Sequence, residues 1–269
     1  MPKGEKAGFE TYWTTFGQGP RAALMIHCSL AHSGSWGGLA RHLSGALRMT
    51  AFDLPGHGRS AAWDGRGEIQ AVSTRIAEAF CTVGPRDVIG HSFGATVALR
   101  LALERPDFVR SLVLIEPVFF AVALRDRPGM RADFADQMAA FDAAMAAGDT
   151  MAAARAFTAV WGGGVRWDDI PQAQRQGLAD QMHLIAAGSP ALYDDVGGML
   201  VPGRLEALDL PVLLIEGSAS PAIIPAINEG LAARLPRARR AVIAAAGHMA
   251  PITHPRQVSD EVLRFLRGE

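Results

Sequence analysis

Apolar residues along this chain follow two rhythms. Ala22 to Ile26, Met49 to Phe52, Asp87 to Ile89, Ser111 to Ile115, Val212 to Glu216 and Arg240 to Ala244 form short, nearly continuous apolar runs bounded by turn formers. Such runs fit strands of a parallel sheet, which are buried on both faces. Glu10 to Phe16 alternates instead, as an early half-exposed strand does. Between the runs, residues 37–45, Ile69 to Val83, Phe93 to Glu104, Pro225 to Leu235 and Pro255 to Arg267 carry helical spacing. Pro106 stops the third of these, because proline disfavours helix in the residue before it.

From Val118 to about Leu205 the strand runs disappear. Met130 to Ala147, Thr150 to Trp161 and Pro171 to Ala187 read as helices rich in Ala, Met and Gln. The pattern predicts an α/β core from residues 1–117 and 206–269, with residues 118–205 inserted as a helical cap. The length of 269 residues, 49% of them apolar, suffices for one such domain.

Charge adds mainly exclusions. Twenty-six basic against 27 acidic residues leave a net charge of −1, which gives no electrostatic reason to expect nucleic acid or an anionic membrane as partner. The basic group Arg234, Arg237, Arg239 and Arg240 reads as solvated charge between a helix and a strand. Met1 to Gly8 is charged, without the apolar core of a secretory signal, so a cytoplasmic location is expected. The most apolar stretch, Ser111 to Leu124, is interrupted by Glu116 and Pro117 and does not read as a membrane span. Cys28 and Cys81 make neither a disulfide framework nor a zinc pattern, and His32, His42, His183 and His254 lack metal-ligand spacing. No metal and no cofactor is expected, and a homodimer stays open.

The chemistry gathers at Gly90-His91-Ser92-Phe93-Gly94, where a strand must become a helix within a few residues. Glycines two positions either side of Ser92 are needed where strand and helix approach too closely for a side chain. The Ser92 hydroxyl is then held at the strand's carboxyl end, beside a helix amino terminus that favours a developing oxyanion.

Four segments in order, HCSLAHSGSW at 27–36, DLPGHGRS at 53–60, GHSFGA at 90–95 and AAGHMAP at 245–251, resemble the α/β-hydrolase family over nearly the whole chain. Carboxylesterases, lactonases and meta-cleavage-product hydrolases belong to it. The resemblance implies a mostly parallel eight-stranded sheet with helices on both faces and a cap after the sixth strand. It also implies Ser92 as nucleophile, His248 as general base, and backbone N–H groups of Phe93 and Ser29 as oxyanion donors. The family's acid commonly follows the seventh strand, where this chain reads Glu216-Gly217-Ser218-Ala219-Ser220-Pro221 and puts Ser220 at the expected position. A hydroxyl cannot offset the charge of an imidazolium, and losing that carboxylate costs about ten-thousandfold in rate.

Glu116, at the end of the sixth strand, is the expected replacement, since neighbouring strands lie only about 4.8 Å apart. Glu216, Asp194 and Asp195 are weaker rivals. His91, His57 and His27 are expected to hold loops, while Trp36 and Cys28 are expected to bind substrate. Most of Met130, Phe134, Met138, Phe141, Met145, Trp161, Met182 and Met199 are expected to be core between cap and sheet, those left facing the sheet forming an apolar roof, with Arg125, Arg127 and Arg131 as the cationic exceptions near the start of the cap.

The expected activity is hydrolysis of a carboxylic ester or lactone of a small to medium apolar acyl compound, with a small molecule as substrate. Two alternatives are hydrolysis of a carbon–carbon bond in a vinylogous ketone, and a non-catalytic ligand-binding member of the fold.

Overall fold

Alternation along the central strands sorts their side chains into two cores. Leu24, Ile26, Val88, Leu112 and Leu214 belong to one, and Ala23, Met25, Ile89, Val113 and Leu213 to the other. Successive strand residues point to opposite faces, so a strand buried on both sides needs helices on both. The computed structural model describes residues 2–269. Its strands are β1 (Lys3–Lys6), β2 (Phe9–Phe16), β3 (Arg21–Ile26), β4 (Leu47–Phe52), β5 (Arg86–His91), β6 (Val109–Ile115), β7 (Val212–Gly217) and β8 (Ala238–Ile243). They form one sheet in the order β1-β2-β4-β3-β5-β6-β7-β8. β2 pairs antiparallel with both neighbours, and every other pairing is parallel.

The helices α1 (Gly37–Leu43), α2 (Ile69–Ala79) and α3 (Phe93–Glu104) join the earlier strands. Between β6 and β7 come α4 (Phe120–Asp126), α5 (Met130–Ala146), α6 (Thr150–Trp161), α7 (Gln172–Asp180) and α8 (Met182–Tyr193). The chain closes with α9 (Ile223–Ala232), α10 (Ala250–Thr253) and α11 (Pro255–Arg267). α1 and α11 bury Leu39, Leu43, Val258 and Val262 under one face of the sheet. α2, α3, α9 and the inserted helices share the other core. Local chemistry fixes several starts. The Glu68 carboxylate accepts from the Gln70 and Ala71 N–H groups at the head of α2, and Asp149 accepts from Ala152 N–H at the head of α6.

The mostly parallel sheet with a helical insertion after β6 is the architecture the sequence led us to expect. Four local readings need correction. Lys3–Lys6 is a strand that no apolar pattern announced. Its residues lie in the exposed or half-exposed classes, and its pairing with Phe9 to Tyr12 defines it. The helix from Ile69 stops at Ala79, where Phe80 and Cys81 N–H turn back to Ala77 and Glu78 carbonyls ahead of Gly84 and Pro85. The stretch from Pro171 to Ala187 is two helices broken at Gln181. The break lets Met182 and Leu184 reach the core, while α7 buries only Ala179. α4, at the start of the insertion, was not foreseen.

The four arginines of the basic group do not form a free patch. Arg234 pairs with Asp126, Arg237 with Asp209, Arg239 with Glu261 and Arg240 with Glu216. Among the described residues no helix is long and apolar enough to cross a membrane.

Candidate active site

The turn from β5 into α3 places Ser92 in a strained backbone conformation, φ 56° and ψ −119°. Its flanking glycines have steric reasons that can be stated atom by atom. A Cβ on Gly90 would stand 2.4 Å from the Gly94 carbonyl oxygen, and one on Gly94 would stand 2.2 Å from the Ile26 carbonyl oxygen. Both obstacles are backbone and cannot swing aside. The Ser92 N–H is tied to the Ile115 carbonyl at 2.9 Å, which fixes the turn against the end of β6.

Three side chains from three loops meet here. His248 Nε2 lies 2.9 Å from Ser92 Oγ, and His248 Nδ1 lies 3.1 Å from Glu116 Oε2. A carboxylate can only accept, so Nδ1 carries the proton and Nε2 presents its lone pair to the Ser92 hydroxyl. Glu116 is fully buried, and its other oxygen accepts from Gly217 N–H at 2.5 Å and from the Ser220 hydroxyl at 2.7 Å. A buried carboxylate is tolerable only when its lone pairs are met in this way. Glu116 also adopts a left-handed backbone, φ 53°, with its N–H bonded to the Ile215 carbonyl of β7.

The rival acids point elsewhere. Glu216 is held by Arg240 and Asn228, and Asp195 accepts from the N–H groups of Met199 and Leu200. Asp194 is exposed.

Three buried histidines brace the loops. His91 Nε2 donates to the His248 carbonyl at 2.8 Å, so the residue beside Ser92 also anchors the loop that carries His248. His27 binds the Cys28 carbonyl through Nδ1 and accepts the Leu54 N–H through Nε2, joining the loops after β3 and β4. His57 Nδ1 donates to the Pro55 carbonyl. Burial, followed by the electrostatic influence of the neighbouring His248 ring, pushes the His91 imidazole down to about 3, and burial pushes His57 down to about 4. His27 is lowered well below 6.5, again chiefly by burial. Neutral rings are therefore the structural form near pH 7.

Ser92, His248, Ser29 and Phe93 open on one cavity of about 410 Å3 beneath the inserted helices. Phe93 is the first residue of α3, whose leading N–H groups have no partner within the helix. Phe120, Phe134, Phe141, Phe157, Trp161 and Tyr193 supply aromatic walls. Trp161 meets the His248 ring edge-on, with centroids 4.8 Å apart. Of the eight apolar cap residues, Phe134, Met138, Phe141 and Trp161 line the cavity, while Met182 and Met199 are fully buried in the core and Met130 and Met145 pack against it.

Trp36 and Cys28 do not line the cavity, which corrects their expected role in substrate binding. Trp36 ends a 3₁₀ turn at Ser33–Trp36 and packs into the opposite core, its ring 6.4 Å from that of His91. Cys28 is buried, and burial pushes its thiol up to about 12. Sequence reasoning missed Ser220 as the hydrogen-bond donor to Glu116. Its place in the position usually held by the acid was the available signal.

Fold and site together define a hydrolase of the α/β type, and the chain belongs to the Alpha/beta hydrolase family, which it matches over residues 23–261. It is 30% identical over 262 residues to pimeloyl-[acyl-carrier protein] methyl ester esterase of Aeromonas hydrophila subsp. hydrophila, covering 93% of this chain and 97% of that protein. It is 42% identical over 109 residues to lipase LipV of Mycobacterium tuberculosis, a match that takes in 39% of this chain and 40% of LipV. In fold it is similar to Est816, an N-acyl homoserine lactone degrading enzyme (TM-score 0.73, 22% identity, 98% of this chain and 99% of that one). It is likewise similar to the enol-lactonase of Burkholderia xenovorans LB400 (TM-score 0.72, 18% identity, 99% and 100%).

Proposed function

We propose that the chain hydrolyses a carboxylic ester or lactone of a small to medium apolar acyl compound through an acyl-enzyme on Ser92. The observation that carries this reading is the unbroken hydrogen-bonded series from Ser92 through His248 to Glu116, opening on a largely apolar cavity. Ser92 Oγ attacks the carbonyl carbon while its proton passes to His248 Nε2. Glu116 offsets the positive charge that forms on the ring, the duty usually given to an Asp after the seventh strand. The N–H groups of Phe93 and Ser29 hold the oxyanion, and each such donor is worth about a hundred- to a thousandfold in rate.

Collapse of the intermediate breaks the carbon–oxygen bond, and the leaving alkoxide takes the proton back from Nε2. Water, deprotonated by His248, then attacks the acyl carbon and frees Ser92. The methyl ester esterase name of the Aeromonas relative supports an oxygen ester as the bond broken. Aromatic and aliphatic walls support an apolar acyl group, since such pockets bind by excluding water. A small molecule is the partner this reading requires.

A 4-nitrophenyl ester tests it: an initial burst of nitrophenol equal to the enzyme concentration, followed by slower turnover, is expected. Ser92→Ala should abolish both the burst and labelling by a fluorophosphonate. Turnover by that variant at the original rate would overthrow the acyl-enzyme, and a wild-type protein inert to the fluorophosphonate would favour a ligand-binding role.

A further inference from the structure

One face of α5 forms part of the cavity wall, and it is polarised. Arg131, Phe134, Ala135, Met138, Phe141 and Asp142 all line the cavity, at the three- and four-residue spacing of a single helical face. Arg131 and Asp142 are eleven residues apart, about 16 Å along the axis. They are the only Arg, Lys, Asp or Glu side chains among the cavity's described lining residues. The wall thus reads as a cation, an apolar span and an anion.

The two ends differ in what they already face. Asp142 acts on the Tyr193 phenol, whose pKa is raised by burial and then by that carboxylate, so a neutral hydroxyl donor lies within its field. The guanidinium of Arg131 makes no hydrogen bond or ion pair among the described residues. The neighbouring arginines are engaged elsewhere: Arg127 pairs with Glu229, and Arg125 reaches the Leu200 carbonyl. Neither lines the cavity. Arg131 also stands in the first turn of α5, where the positive end of the helix dipole adds to its charge.

From the reacting centre the cavity runs toward that cation over aromatic rings. Trp161 meets His248 at 4.8 Å, and Phe134 meets Trp161 at 6.5 Å, one helical turn from Arg131. We propose that the substrate carries a carboxylate at the end remote from its ester or lactone, that this carboxylate pairs with Arg131, and that Arg131 is the residue selecting for it. The inference rests on the proposed ester hydrolysis and narrows its substrate to an apolar chain with an acidic terminus. An acyl chain too short to reach Arg131 would leave its carboxylate among rings, where an unpaired charge is costly.

Mono-4-nitrophenyl suberate and 4-nitrophenyl octanoate have acyl chains of equal length and differ in the terminal carboxylate. Wild-type kcat/KM should favour the suberate, and Arg131→Ala should lower the suberate-to-octanoate ratio about tenfold, as expected for one charge-assisted hydrogen-bonded pair. Arg131→Glu should turn the ratio against suberate, Arg131→Lys should keep part of it, and Arg41→Ala, at an exposed position of α1, should leave it unchanged. Rising salt should reduce the ratio, because the pair is near solvent.

A second measurement uses binding alone. Titration of Ser92→Ala with monomethyl suberate should give an affinity that Arg131→Ala weakens about tenfold. Equal affinity in the two proteins, or a ratio that neither Arg131→Ala nor Arg131→Glu moves, overturns the inference while leaving ester hydrolysis intact. A wild-type preference for an ester with a cationic tail, lost in Asp142→Asn, overturns it in favour of the other end. Hydrolysis of both esters by Ser92→Ala at wild-type rates would instead remove the reading beneath it.

Discussion

The Ser220 hydroxyl donates to Oε1 of Glu116 at 2.7 Å, while Oε2 of the same carboxylate meets His248 Nδ1 at 3.1 Å. The residue standing where relatives commonly keep the acid is a donor to the carboxylate we propose in its place. Glu116→Gln is expected to lower kcat about ten-thousandfold with the melting temperature little changed. Ser220→Ala, which removes one of three hydrogen bonds to the carboxylate, should lower kcat/KM about tenfold. In the Glu116→Gln background, Ser220→Asp should recover at least part of the loss by returning an anion to the β7 loop. Steady-state kinetics on one activated ester measures all three, and full activity in Glu116→Gln would remove that residue from the mechanism.

Acid should destabilise the protein through its buried histidines. His91 has a folded value of about 3 and His57 about 4, against an ordinary 6.5. Between those limits the unfolded chain binds protons that the folded chain refuses. Stability is therefore fully present above 6.5 and declines as pH falls through the window, by up to about 1.4 kcal/mol per pH unit for each ring. Urea unfolding midpoints at pH 7 and pH 5 should show the decline, and His91→Gln should flatten it. An equally steep decline in that variant would assign the sensitivity to other groups.

Gly94 and Gly177 should answer oppositely to alanine. At Gly94 the new Cβ would lie 2.2 Å from the Ile26 carbonyl oxygen and 2.4 Å from that of His27, so β3, its loop and α3 cannot all keep their places. Loss of folded protein or a large drop in melting temperature is expected. Gly177 lies inside α7 with nothing within 4 Å of a built Cβ, and its replacement should stabilise the helix by about 1 kcal/mol. Thermal melts of the two variants check both signs.

Trp161 joins the inserted helices to the reacting centre, buried against His248 and 5.8 Å from Phe120. Trp161→Ala should cost about 3–5 kcal/mol, the usual range for emptying a buried aromatic site. Its KM for apolar acyl esters should also rise more than its kcat falls, because the ring forms wall and does not move protons. Calorimetry and a chain-length series of esters separate the two effects.

Much of this architecture was legible because local chemistry and tertiary need coincide. The apolar runs mark strands buried on both faces, and the glycines around Ser92 mark the one turn where backbone atoms leave no room for Cβ. β1 escaped notice because Lys3, Glu5 and Lys6 are exposed or half-exposed and carry no apolar period. The break at Gln181 was equally silent: no proline or glycine marks it, and it exists because α8 turns inward to bury Met182 and Leu184. Trp36 misled in the other direction. Its place in the loop after β3 suggested a pocket wall, but the turn at Ser33–Trp36 carries it to the far face of the sheet.

The sequence by itself determined the order of the core strands from β2 to β8, the insertion after β6 and the identity of the residue at the strained turn, because each depends on spacing along a short stretch. Tertiary structure alone decided that Glu116 reaches His248, that Ser220 steadies Glu116, and that Arg131 is the arginine on the cavity wall. Those relationships join residues separated by up to 132 positions. Their distances are set by the spacing of neighbouring strands and the packing of the inserted helices over the sheet, which no local pattern encodes.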